Sequence, residues 1–241
     1  MSDEQRVPLG VGIYSRAEAS RLLGMTAQRI SRWVCGYRYS WTLDGAVQRA
    51  RQPPVIKTDL PRLDSALAIS FLELMELRVV KAFIDLGVPL QTVRVAWDHA
   101  RAAFRTEHPF ANRRVYVDEG RIFMPTDDRR PLSAVLEVSS RRQPFQLIAG
   151  RIFLQSAEDV DFNRQTRLAR RWWPLGLGTP IILDPRIAFG APVVESTGIR
   201  TEIIALYARG RSPSQVANAF EIDDNRVRAA LRFETQLRRA A

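Results

Sequence analysis

Residues able to carry chemistry are sparse along these 241 residues, and their spacing argues against a catalytic centre. The two histidines, His99 and His108, stand nine apart with no second ligand pair at metal spacing, so each reads as a satisfied surface or core histidine. The single cysteine, Cys35, has no Cys-x-x-Cys partner and no histidine nearby in sequence, which leaves neither a redox pair nor an activated nucleophile. Asp127-Asp128 falls in a charged, proline-bearing stretch, while Asp223-Asp224 stands where a helix should open. Capping suits the second pair better than acid–base work. There is no phosphate-cradling glycine loop and no Ser-His-Asp arrangement. The expectation is a protein that is not an enzyme, with no catalytic residue, no bound metal and no cofactor.

Arginine is the residue in excess. Lys57 and Lys81 are the only lysines among 36 basic residues, and the formal net charge is +10. Forked guanidinium hydrogen bonds favour phosphate or carboxylate partners, although GC-rich coding alone can also choose arginine over lysine. The excess is concentrated near the front. Between Tyr14 and Gln52, seven arginines (16, 21, 29, 32, 38, 49 and 51) oppose only Glu18 and Asp44, a net of +5 and half of the whole-chain surplus.

Local signals say what must position those arginines. Ser15 and Glu18 form a capping box for a helix lined by Ala19, Leu22 and Leu23, with Gly24 at its end. Thr26 then caps a second helix whose buried side carries Ile30 and Trp33 or Val34, leaving Gln28, Arg29 and Arg32 outward. That is a helix-turn-helix, whose second helix offers base-edge contacts while arginines hold phosphates. Tyr37, Tyr39 and Trp41 interleave with Arg38 just beyond, as in a wing or a phosphate-contacting loop. The stretch resembles the N-terminal helix-turn-helix of MerR-like regulators. Thr26, Gln28, Arg29, Arg32 and Arg38 are the candidate DNA-contacting residues, and a capped hairpin that only packs or dimerises is the structural alternative.

Further along, Pro53-Pro54 marks a break and residues 55–57 read as a short strand. Residues 68–86 read as a helix ending at Gly87, and a second helix is expected from Pro89 to Phe104. Residues 114–117 and 121–124 flank a glycine-bearing turn and predict a hairpin. Residues 126–133 read as an exposed loop, 132–138 as a short helix and 145–154 as strand-like. After the Pro/Gly-rich 174–180, the runs 181–183 and 192–194 should pair as a small ribbon. Three helices are then expected: one from Thr197, one capped by Ser212 with Pro213 next, and one opened by Asp223 or Asp224. The expected fold class is mainly α with small β hairpins, in which two helix-turn-helix-like units (1–57 and 172–241) flank a helical and hairpin middle (58–171). No apolar run approaches the roughly 18 residues a membrane span needs, and the N-terminus lacks a signal-peptide layout, so a cytoplasmic protein with no membrane partner is expected.

Three ordered blocks, Gly190 to Thr201, Gly210-Arg-Ser212 and Val227 to Glu234, resemble the bacterial family known as domain of unknown function 433. That family's pattern runs G-x-P-V-I/V-x-G-T-R-I, then G-x-S, then A-A-L-x-Y/F. Ser196 stands here for the usual glycine and Gly198 for the usual arginine before Ile199. With its front end, the chain resembles VapB-type antitoxins. The resemblance implies binding and neutralisation of a PIN-like ribonuclease toxin and autoregulation at promoter DNA, by what is usually a homodimer. Such nucleases gather carboxylates around a metal, and an arginine can pair with them. Arg232, Arg238 and Arg239, at the exposed end of the last helix, are the toxin-binding candidates; solvated surface charge is their alternative. From Ile199 onward the net charge is +3, so DNA contact is assigned to the front unit and toxin contact mainly to the rear one. Two other readings stand: a MerR-like regulator without a toxin partner, whose effector pocket would lie in the middle, and a structural adaptor.

Overall fold

The computed structural model describes residues 10–60, 66–112, 116–118, 121–125, 135–137 and 158–239. The described chain is mainly helical with small antiparallel ribbons. Strand β1 (Tyr14–Ser15) leads into helices α1 (Arg16–Leu23) and α2 (Ala27–Cys35), then the ribbon β2 (Tyr37–Leu43) and β3 (Ala46–Gln52). Strand β4 (Ala68–Ile69) precedes α3 (Phe71–Asp85) and α4 (Leu90–Phe104), followed by β5 (Tyr116–Asp118), β6 (Arg121–Pro125) and β7 (Val135–Glu137). Strands β8 (Val160–Phe162), β9 (Ala169–Trp172), β10 (Ile181–Ile182) and β11 (Val193–Val194) lead to α5 (Thr201–Tyr207), α6 (Pro213–Phe220) and α7 (Asp224–Arg239). No helix among the described residues is long and apolar enough to cross a membrane.

Where caps are local, they form as the sequence dictates. Ser15 and Glu18 close a capping box on α1, Thr26 caps α2, and Ser212 with Gln215 closes a box on α6. The hairpin β5–β6 and the ribbon β10–β11 also pair as expected. Other elements differ. Residues 55–57 form no strand; Val55 and Ile56 are buried, and the Val55 amide donates to the Trp33 carbonyl at 2.6 Å, closing the end of α2. The helix expected from 68 starts at Phe71, because Ala68–Ile69 pairs antiparallel with Tyr14–Ser15, and Ser70 with Glu73 forms a capping box at the helix start. Of the short helix expected over 132–138, the described residues Val135–Glu137 form instead the strand β7, paired with β6. Helix α5 begins at Thr201, not Thr197, since residues 193–199 fold back in a turn in which the Val194 amide donates to the Ile199 carbonyl. The loop expected at 126–133 and the strand at 145–154 lie outside the described residues.

Two hydrophobic cores result. The first gathers around α3 (Phe71, Leu74, Leu77, Phe83), with Ile30 and Trp33 of α2, Trp97 of α4 and Trp172 of β9. The second holds Ile181, Val194, Ile204, Val216, Val227 and Phe233. Leu22 of α1 packs against both. The first core is not wholly apolar, because α3 also buries Glu73 and Glu76 completely. Glu76 accepts hydrogen bonds from Trp97 Nε1 (2.8 Å) and the Phe110 amide (3.1 Å), and faces His108 Nδ1 at 3.3 Å; His108 Nε2 meets Asp59. Burial works against a charged His108, but the hydrogen bond and charge of Glu76 and the charge of Asp59 outweigh it and push its pKa up to about 9.

A strap, residues 10–15, ties the cores together. The Phe71 amide donates to the Val11 carbonyl, the Ile13 amide to the Phe189 carbonyl, and the Tyr14 hydroxyl to the Gly190 carbonyl at 2.7 Å. Gly190 is the first residue of the rear sequence pattern, and a Cβ there would lie 2.5 Å from the Tyr14 hydroxyl oxygen. With φ at +85° as well, the position admits only glycine without rearrangement.

Candidate nucleic-acid interface

The helix-turn-helix forms as α1, a left-handed turn at Gly24 and α2, with Ile30, Trp33 and Val34 buried. The candidate residues on α2 do not all face one way. Thr26 commits its hydroxyl to the helix, accepting from the Arg29 amide at 3.2 Å. Gln28 and Arg32, one turn apart, are exposed. Arg29 lies over the Trp33 ring at 4.6 Å and Arg32 over Tyr37 at 5.1 Å, so both guanidiniums are held by aromatic faces.

Beyond Gly36, whose added Cβ would collide with the Gln52 carbonyl, the chain turns into a seven-residue, two-stranded ribbon. Its tip is Asp44-Gly45, both at positive φ, the geometry of a type I′ hairpin turn. Strand alternation gives the ribbon two unlike faces. Tyr37, Tyr39 and Trp41 line one, with ring centroids 6.0 and 5.5 Å apart. On the other, Arg38 stands directly across from Arg51, and Ser40 across from Arg49. All three arginines are exposed, and none makes an ion pair with a described residue. Like charges directly opposite one another destabilise a ribbon standing alone. A polyanion laid along that face would reverse the sign of the interaction. Arg38, the one candidate on the ribbon, therefore has two neighbours, Arg49 and Arg51, that the charge count included but no site assignment did. The Asp-Gly pair between alternating residues was the signal that could have placed them.

In the rear unit α5 and α6 pack on α7, and the three candidate arginines there separate. Arg232 and Arg239, seven residues apart, share an exposed face. Arg238 instead lines a cleft of about 430 Å³ between α1 and α5–α7, together with Glu18 and Arg21 of α1, Phe189, and Leu206 and Arg209 at the end of α5. Among the described residues no group of three or more His, Cys, Asp or Glu is arranged to hold a metal.

Two family models match separate parts of the chain. Residues 12–97 match the family described as "Putative DNA-binding HTH domain", and residues 181–233 match "Protein of unknown function (DUF433)". The first match runs past α2 through most of α4, and it specifies a helix-turn-helix without the MerR-like kind. Over 239 residues, 96% of this chain and 98% of the relative, the sequence is 25% identical to "Putative antitoxin VapB45" of Mycobacterium tuberculosis (strain ATCC 25618 / H37Rv). A crystal structure of Rv2018 from Mycobacterium tuberculosis shares the fold, with a TM-score of 0.60 at 19% identity, covering 93% of this chain and all of that one. The likeness to that antitoxin runs over nearly the full length of both chains.

Proposed function

We propose that this chain, a VapB-type antitoxin in layout, acts as a homodimer. It binds promoter DNA through α2 and the arginine face of the ribbon, so regulating its own operon, and neutralises a PIN-like ribonuclease by direct contact through the rear unit. The observation that carries the DNA half is the cross-strand pair Arg38 and Arg51, with Arg49 beside them and no described carboxylate neutralising any of the three. The ribonuclease half is supported by the likeness to a named antitoxin and by Arg232, Arg238 and Arg239 on α7, which make no ion pair with a described residue. No catalytic role is assigned to any residue.

Co-expression tests the second half. A strain arrested by the ribonuclease of the same operon regains growth with this chain, and loses that rescue when Arg232, Arg238 and Arg239 are all changed to Glu. Point changes are needed here, because truncation after Leu231 would remove the buried Phe233 from the second core. Full rescue by the triple variant would remove these arginines from the contact, and no rescue by the natural chain would sink the antitoxin reading itself.

A further inference from the structure

A cleft of about 430 Å³ lies between α1, α5 and α7, and of the three α7 arginines only Arg238 reaches it. Its lining includes the apolar Leu22, Leu206 and Leu237 together with Arg21, Arg209 and Arg238. Its three carboxylates already have donors: Glu18 accepts from the Ser15 amide (2.7 Å), Glu202 pairs with Arg200 (2.9 Å), and Glu234 accepts from the Thr201 hydroxyl (2.5 Å). The three arginines make no ion pair with a described residue. The lining thus carries four arginines against three carboxylates, a small positive balance, and Arg21, Arg209 and Arg238 are the cations that no described carboxylate pairs with.

Apolar surface accompanies that charge. Leu206 is 55% exposed and Phe189 65% exposed, and the Phe189 backbone is left-handed at φ 55°. A bulky residue in that region is strained, and here the strain holds an aromatic ring toward solvent at the mouth of the cleft. The apolar strip continues along α5 through Ile203 and Tyr207, 43% and 38% exposed. With exposed arginines beside it, this strip suits a stretch of polypeptide that carries apolar and acidic side chains together.

We infer that this cleft seats a segment of the partner ribonuclease in which an apolar side chain is flanked by carboxylates. The inference rests on the ribonuclease reading and extends it: α1 of the helix-turn-helix contributes Arg21 and Leu22 to the partner contact, which is thus not confined to the rear unit. Apolar contact with the leucines of the lining supplies affinity, and its arginines select for acidic sequence and make association salt-dependent.

Titration of the full chain with the ribonuclease of its operon, at low and at moderate salt, tests this. Arg21→Glu and Arg209→Glu each weaken binding about tenfold and flatten the salt dependence, and Leu206→Ser weakens it at both salt concentrations. Arg21→Lys keeps most of the affinity, and all three positions are open enough that thermal unfolding stays unchanged. Equal binding by the natural chain and the charge-reversed variants would overturn the cleft assignment while leaving the ribonuclease reading intact. If the natural chain itself does not bind the ribonuclease, the reading beneath the proposal fails. Loss of self-association in these variants, with ribonuclease binding unaltered, would place a second copy of this chain in the cleft instead and overturn the proposal.

Discussion

In the ribbon, Arg38 faces Arg51 across the strands and neither has a carboxylate partner among the described residues, whereas on α5–α7 three arginines each reach an acid within four residues: Arg200 to Glu202, Arg226 to Asp223 and Arg228 to Asp224. Both regions are basic by count. They differ in how much of that charge is already answered locally. Exposed ion pairs of this kind stabilise by only about 0–1 kcal/mol, but they do lower the field that a polyanion meets. Net charge along a segment ranks the two units, and the pairing adds which arginines stay available: Arg38, Arg49 and Arg51 on the ribbon, and Arg209, Arg232, Arg238 and Arg239 in the rear unit, make no ion pair with a described residue.

The contrast depends on the strap that holds the two cores in place, and the largest predicted effect is there. Gly190→Ala forces a Cβ against the Tyr14 hydroxyl at a positive φ, and should cost about 3–4 kcal/mol. Urea unfolding would show it. A variant of natural stability would mean that the front and rear cores are not joined through this contact.

The next effect separates the cores by pH. His108 meets Glu76 of α3, the helix at the centre of the first core, and has its folded pKa raised to about 9 from an ordinary 6.5. A histidine with a raised folded pKa contributes stability that is fully present below about 6.5 and is lost as pH climbs through 9, on the order of 2–3 kcal/mol. The urea midpoint should fall between about pH 6 and about pH 9.5, and His108→Gln should flatten that slope. An identical slope in the variant would show that the Glu76–His108–Asp59 chain is not its source.

Smallest is a gain in the rear unit. Ser196 occupies a left-handed turn at φ 68°, the position where the resembled family carries glycine. Ser196→Gly should stabilise by about 0.5–1 kcal/mol, read as a small rise in melting temperature. No rise would mean that the turn has already relaxed around serine.

Much of this was legible because its causes lie within a few residues: the boxes at Ser15–Glu18 and Ser212–Gln215 and the cap at Thr26 are set by neighbours three positions apart. What escaped depends on distant chain. Tyr14 pairs with Ile69 and bonds to Gly190, and neither partner can be read from the residues around Tyr14. Glu73 and Glu76 look like the polar side of an amphipathic helix, yet they are buried, because Trp97, His108 and the Phe110 and Asp59 amides reach them from elsewhere. The candidate DNA residues were chosen by type, and the sequence showed Thr26 as a cap, but it did not show that Arg38 would share its face with Arg49 and Arg51.

The central claim is that DNA contact belongs to the ribbon and α2 while the rear arginines serve another partner. Anisotropy titration of labelled promoter DNA across a range of salt tests it directly, comparing Arg38→Ala/Arg51→Ala with Arg232→Ala/Arg239→Ala. The ribbon pair should weaken binding tenfold or more and reduce the salt slope by about two, as the loss of two phosphate contacts requires, while the rear pair leaves both quantities near their natural values. Loss of DNA binding in the rear pair, with the ribbon pair unaffected, would contradict the division.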